Sequence, residues 1–167
     1  GSIIEAAEIQ EDDIALIQFT SGTTAMPKGA ALTHQNLMAQ FKLIQDELEF
    51  HDGNTGLMWV PPYHDLGLIG SLLVNLMGGN HLYMMSPMSL MKNPAIWFDS
   101  IHKFRATHTG SPNFAYSMCL DKISDEQFAA WDLSCIQMMM SAGEPIEQDV
   151  MDLLLDKLHR FSKLDKA

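Results

Sequence analysis

Short apolar runs alternate with helix-patterned segments along almost the whole chain, and nothing else in the sequence constrains the fold as strongly. Ile14 to Phe19, Gly56 to Val60, His81 to Met85, Ala106 to Thr109 and Ile136 to Met140 are too short for helices and read as buried strands. Between them come stretches with a helical period. Thr33 can cap a helix to about Phe50, with Leu37, Met38, Phe41, Ile44 and Leu48 on one face. Asp65 to Met77 is apolar nearly all round and reads as a buried helix ended by Gly78-Gly79. Asn93-Pro94 opens a helix to Phe104, and Ser111-Pro112 opens another to Asp121. Pro145 begins a last one carrying Ile146, Val150, Leu153, Leu154, Leu158 and Phe161 on a shared face. Strands and helices in strict turn imply an α/β fold, a mostly parallel sheet flanked by helices.

Size and charge narrow the function. A chain of 167 residues can bury a real core. Its net charge of −11 argues against a nucleic-acid surface, so an anionic ligand must be held by local geometry. No apolar run is long enough to span a bilayer, and no stable membrane insertion is expected. The two cysteines, Cys119 and Cys135, read as free thiols of a reducing cytoplasm. The histidines lack metal-type spacing, and the methionines fall on strands and turns where they fill gaps, so no metal site is expected.

The run "TSGTTAMPKG" follows the first strand, where α/β sheets place their ligands. Gly22 lets backbone N–H groups approach an anion; Thr20, Ser21, Thr23 and Thr24 add hydroxyls, and Lys28 adds a point charge. Pro27 stiffens the turn. The order is not that of a Walker A loop. By composition alone the run is as good a polar surface turn. The order of its residues decides otherwise. The string resembles the phosphate loop of the adenylate-forming superfamily, Thr/Ser-Ser-Gly-Thr/Ser-Thr-x-x-Pro-Lys-Gly, at every specified position, and "LTHQNL" trails it as in that family. "PPYHDLGLIG", "SPMSLMKNPAIW", "THTGSPNFAYSMC" and "SAGEPI" resemble segments of the fatty-acyl-AMP ligases, in their order and spacing.

The resemblance implies ATP- and Mg²⁺-dependent conversion of a fatty acid to acyl adenylate with release of pyrophosphate. The acyl group then passes to the phosphopantetheine thiol of an acyl carrier protein, in a stand-alone enzyme or at the start of a polyketide or lipopeptide assembly line. It assigns Thr20 to Thr24 and Lys28 to the ATP phosphates. It puts His64 at the junction of acyl tunnel and nucleotide site, as a catalytic candidate. Gly110, Ser111, Pro112 and Asn113 are assigned to the acyl pocket, and Ala142, Gly143 and Glu144 to the adenine. Residue by residue, His64, Asp65 and Glu144 are equally explicable as cap or turn residues. Helix 65–77 and the Gly110 to Tyr116 segment are expected to form opposite walls of the acyl tunnel.

Residues 1–13 read as an acidic lead-in, with Gly1-Ser2 a tag remnant. Residues 14–167 read as part of the family's large N-terminal domain, ending before the Tyr-Gly-x-Thr-Glu segment whose Glu binds Mg²⁺. The ribose segment and the small C-terminal domain also come later in the family, so this piece alone is expected to be inactive. An acyl-CoA synthetase, or a non-catalytic α/β module, fits the same residues.

Overall fold

The computed structural model describes residues 8–20 and 27–164. Four short strands form one parallel sheet: β3 (Thr55–Met58), β4 (His81–Met84), β5 (His108–Ser111) and β6 (Met138–Ser141). Their order across the sheet is β4-β3-β5-β6. The chain leaves β3 toward one edge and leaves β5 toward the other, so the switch point lies between β3 and β5. Beyond the carboxyl ends of two such strands the connections diverge and leave a crevice.

The crossovers are helical. From β3 to β4 the chain passes through α2 (Asp65–Gly67), a π turn (Leu68–Leu73) and α3 (Val74–Met77), which together form one continuous helix. From β4 to β5 it passes through α4 (Pro87–Lys92) and α5 (Ala95–Phe104), and from β5 to β6 through α6 (Asn113–Lys122) and α7 (Asp125–Ala129). Helix α8 (Gln148–Phe161) closes the chain. The main core is aromatic and contiguous: Trp97, Phe98, Tyr116 and Phe128 are fully buried, with Ile101, Leu133, Leu154 and Leu158 around them. A second, smaller core joins Phe41, Phe50 and Val74, with Ile69 and Leu73 against it.

Helix α1 (His34–Glu47) starts where the sequence puts it, on a capping box. The Thr33 hydroxyl accepts from Asn36 N–H at 3.2 Å, and the Asn36 amide oxygen accepts from Thr33 N–H at 3.1 Å.

Three expectations need correction. The Ile14 to Phe19 run is a strand, β1 (Ile14–Thr20), but it is neither buried nor part of the parallel sheet. It pairs antiparallel with β2 (Lys28–Thr33), Thr20 opposite Lys28, in a separate hairpin. Ile14, Ile17 and Phe19 are exposed. An apolar run specifies a strand without specifying its partner or what covers it. The strand before the Thr20 to Gly29 stretch is thus not one of the parallel sheet, and residues 21–26 lie outside the described residues.

Two short helices were not legible. Pro87 occupies the first turn of α4, capped by the Ser86 hydroxyl, instead of merely ending a strand. Helix α7 carries a Ser124/Gln127 capping box. Finally, the helix expected from Pro145 begins at Gln148, and Ile146 and Leu153 of its supposed buried face are exposed, as are Leu76 and Met77 at the end of α3.

Candidate active site

A half-open apolar cleft of about 540 Å³ lies against the parallel sheet. Asn36, Leu37, Gln40, Ile44 and Leu48, on α1 and just beyond it, form one wall; Leu66, Ile69 and Gly70 of the π-containing helix form the other. Met140 of β6 supplies the floor, and His64 and Gly143 stand at the mouth. A smaller space of about 40 Å³ adjoins it and shares Ile44, Leu48, Gly70 and Met140. There Met138, Gly56, His108 and Thr109 contribute, so the lining runs from the carboxyl ends of the strands toward their amino ends. Met138 and Met140 fall two apart on β6 and so face the same side.

His64 ends the turn after Pro61-Pro62 and caps α2. Its Nδ1 lies 3.2 Å from Leu66 N and 2.7 Å from Asp65 Oδ1. One tautomer accepts from the amide; the other donates to the carboxylate. Either use fixes the ring by Nδ1 and leaves Nε2 as the nitrogen for other partners. The turn is held by Gly67, where a β-carbon would stand 2.1 Å from the Pro61 carbonyl oxygen.

At the mouth, β5 and β6 bring two expected segments side by side, with Gly110 opposite Met140 and Ser111 opposite Ser141. Ala142 N–H donates to the Ser111 carbonyl, extending the ladder by one bond. Gly143 has φ of 89°, which requires glycine at this corner. The Glu144 carboxylate accepts from Phe114 N–H at 2.7 Å, over the start of α6, where a negative charge is favoured. Asn113, buried, accepts from Glu147 N–H. Glu144 thus has a structural partner, the cap role open to it from sequence.

The cleft's second wall is α1, in place of the Gly110 to Tyr116 segment. Gly110 lies beside Met140 on the same face of the sheet: an added β-carbon there would meet the Met140 side chain at 3.2 Å. Ser111 and Asn113 are buried, and Pro112 is half-buried near Gly143. Of the candidates, the structure joins His64 and Gly143 on one cleft and sets Gly110 to Asn113 and Ala142 to Glu144 beside it. Lys28 is exposed on β2, four residues before Leu32, which lines the cleft. Thr20 is described in backbone only, opposite Lys28. Ser21, Gly22, Thr23 and Thr24 lie outside the described residues. Asn36 and Gln40 were missed, because a face read for its apolar members hides the polar residues that border it.

Two groups near the cleft are set by burial. Tyr116 donates to the Met140 carbonyl at 2.6 Å, and burial pushes its hydroxyl well above the ordinary tyrosine range. Burial also pushes the Cys119 thiol up to about 12, leaving it inert as a nucleophile. Cys135 is a free thiol as well, half-buried.

His108 sits at the inner end. Its Nε2 is 3.0 Å from the Leu48 carbonyl and must donate, so Nδ1 accepts from the Thr107 hydroxyl at 2.9 Å. Burial lowers its pKa, with His51 acting in the same sense; the Leu48 carbonyl and Glu49 oppose the shift less strongly. The unfolded chain therefore takes up this proton first. The contribution to stability is intact above about pH 6.5 and declines as pH falls through that value. A larger loss of urea midpoint between pH 7.5 and 5.5 is expected for the native protein than for His108→Gln. Equal losses would show that His108 stays accessible to protons.

Among the described residues no helix is long and apolar enough to cross a membrane. Comparison with known proteins agrees with this architecture. The chain is 37% identical over 154 residues to a medium-chain-fatty-acid–[acyl-carrier-protein] ligase, JamA of Moorena producens, covering 92% of this chain and 26% of that protein. It is 38% identical over 137 residues to a similarly described ligase, TtuA of Teredinibacter turnerae, covering 81% of this chain and 21% of that one. The solved fatty acyl-adenylate ligase from L. pneumophila, in complex with acyl adenylate and pyrophosphate, superposes with a TM-score of 0.88 at 37% identity, covering 94% of this chain and 28% of that chain. The chain thus spans about a quarter of the length of the relatives it matches. Residues 3–164 match the family described as AMP-binding enzyme, and the chain belongs to that family.

Proposed function

We propose that this chain is part of a longer enzyme that activates a fatty acid with ATP and passes the acyl group to an acyl carrier protein. The observation that carries the reading is the apolar cleft with His64 and Gly143 at its mouth, on the segments that follow β3 and β6. An alkyl chain fits such a lining; its carboxylate is left at the mouth, where a nucleotide can meet it. The carboxylate oxygen attacks the α-phosphorus, the bond to the leaving pyrophosphate breaks, and the acyl adenylate remains. This exchange asks for positioning and charge neutralisation more than covalent help. In this reading the run from Thr20 to Thr24, with Lys28, holds the phosphates, and Ala142 to Glu144 borders the adenine. His64 orients the reacting carboxylate through Nε2. Gly110 to Asn113 border the acyl pocket beside the floor strand. The names of the two bacterial ligases and of the adenylate-bound structure support the substrate and acceptor classes.

Mg²⁺ would neutralise phosphate charge. Among the described residues no three of His, Cys, Asp or Glu gather into a metal site, and the Glu144 carboxylate already accepts from Phe114 N–H. The described residues do not supply a donor set for it. The reading puts the reaction in the cytoplasm, where ATP is available and free thiols persist.

The test is pyrophosphate exchange by the full-length protein across a series of fatty acids, then transfer to carrier protein or to free coenzyme A. Exchange that rises with chain length and transfer to carrier protein are expected. Efficient transfer to coenzyme A would make it an acyl-CoA synthetase, and no exchange with any acid would leave a non-catalytic module. Within this reading Thr23→Ala and Lys28→Ala should each weaken ATP use by about 1.5–3 kcal/mol, with fatty-acid binding unchanged. Exchange unaffected in both would remove the phosphate assignment.

A further inference from the structure

The inner end of the cleft carries a polar atom that an alkyl chain does not use. Asn75 of α3 is 5% exposed and lines the small space with Gly56, Leu57, Met58, Ser71, His108 and others. Its Nδ2 donates to the Ser71 carbonyl at 2.7 Å. That bond fixes the amide: reversing it would set two carbonyl oxygens against each other. Oδ1 is then the free end, and it has no hydrogen-bond partner. The neighbouring groups do not serve it. The Thr109 hydroxyl donates to the Leu57 carbonyl and accepts from Trp97 Nε1. The His108 ring is spoken for at both nitrogens.

Room for the amide is made by β3. A β-carbon on Gly56 would stand 2.8 Å from Asn75 Oδ1 and 3.1 Å from Nδ2. A buried acceptor left unpaired costs free energy that an apolar residue would avoid. In a run reading Leu-Leu-Val-Asn-Leu-Met, an apolar residue is what the pattern would supply. Asn75 also lies at the right depth. It comes eleven residues after His64, about 16 Å along a helix axis, which is the reach of an extended acyl chain.

Resting on the fatty-acid reading above, we propose that Asn75 Oδ1 accepts a hydrogen bond from a hydroxyl carried near the far end of the acyl chain. The preferred substrate is thus a hydroxylated fatty acid instead of a plain one. A neutral hydroxyl that donates to this acceptor recovers the cost of its desolvation, whereas an ammonium would stay a buried, uncompensated charge. A site built to bond a hydroxyl discriminates strongly against the analogue without it, because its own polar atom is then left unpaired.

The experiment compares, in the full-length protein, pyrophosphate exchange with fatty acids of one length, plain or hydroxylated at each of the last few carbons. At one hydroxyl position kcat/KM should exceed that of the plain acid by about tenfold or more. In Asn75→Leu that preference should vanish, with the plain acid still used. Gly56→Ala, which displaces the amide, should lose it as well, and serves if the leucine variant does not fold. Equal or better use of the plain acid against every hydroxylated one by the native protein would overturn the proposal. So would a preference that survives both substitutions. No exchange with any acid would instead remove the fatty-acid reading itself, and this proposal with it.

Discussion

Replacing Gly67 with alanine should cost the full-length protein about 3 kcal/mol of stability and, on the activity proposed above, cut adenylate formation by about 100-fold. The added carbon would lie 2.1 Å from the Pro61 carbonyl oxygen, 2.7 Å from its carbon and 2.8 Å from the Val60 carbonyl oxygen. All three are backbone atoms just beyond the carboxyl end of β3, so no side chain can swing aside. Either α2 lifts off the sheet or the Pro61 to His64 turn moves. In both cases His64, which caps α2 and stands at the cleft mouth, shifts by about an ångström, enough to cost two orders of magnitude where geometry carries the reaction. Urea unfolding and pyrophosphate exchange on the same preparation check it. A variant with native midpoint and native rate would mean that this approach of helix to strand does not exist in solution.

The second large effect is expected at Trp97. Its ring is fully buried, 5.2 Å from Tyr116, 5.5 Å from Phe98 and 6.4 Å from Trp59, centre to centre. Its Nε1 donates to the Thr109 hydroxyl at 2.8 Å, which donates in turn to the Leu57 carbonyl. Helix α5 is tied in this way to β5 and β3 at once. Trp97→Ala should lose about 4 kcal/mol by leaving a cavity, which for a domain of this size lowers the melting temperature by about 10 °C. Trp97→Phe keeps most of the contact area and drops the donor, so about 1–2 kcal/mol is expected. Calorimetry on the pair separates the terms. Equal losses in both would mean that the hydrogen bond, and not the packing, holds α5.

The sequence conveyed the parallel sheet and its helical layer because each of those elements has its own period. It did not convey the hairpin. Ile14 to Phe19 has the composition of a core strand, and only the antiparallel pairing with Lys28–Thr33 reveals that its apolar side chains are left exposed. Helix α4 was hidden because Pro87 is a good terminator and an equally good first-turn residue. At the site, His64 and Gly143 were legible from motif order. The cleft wall was not: Ile44 and Leu48 line the cleft and also pack against the second core around Phe41, so one apolar stripe serves both and its pattern does not separate them. Asn75 left a weak signal, an amide four residues after a serine in an apolar run, which acquires meaning only when Gly56 is seen beside it.

The π turn from Leu68 to Leu73 settles how one helix can belong to two cores. A uniform α-helix presents a single stripe, each residue advancing by about 100°. A π turn winds more slowly and throws the second half out of phase with the first. Leu66, before it, packs on the main aromatic core; Leu73 and Val74, at its end, pack with Phe41 and Phe50. The residues in the change of phase, Ile69, Gly70 and Ser71, are those that line the cleft and the smaller space behind it. The cleft follows a seam where the helix changes allegiance, and side chains of both cores, Leu66 from one and Ile69 from the other, line it.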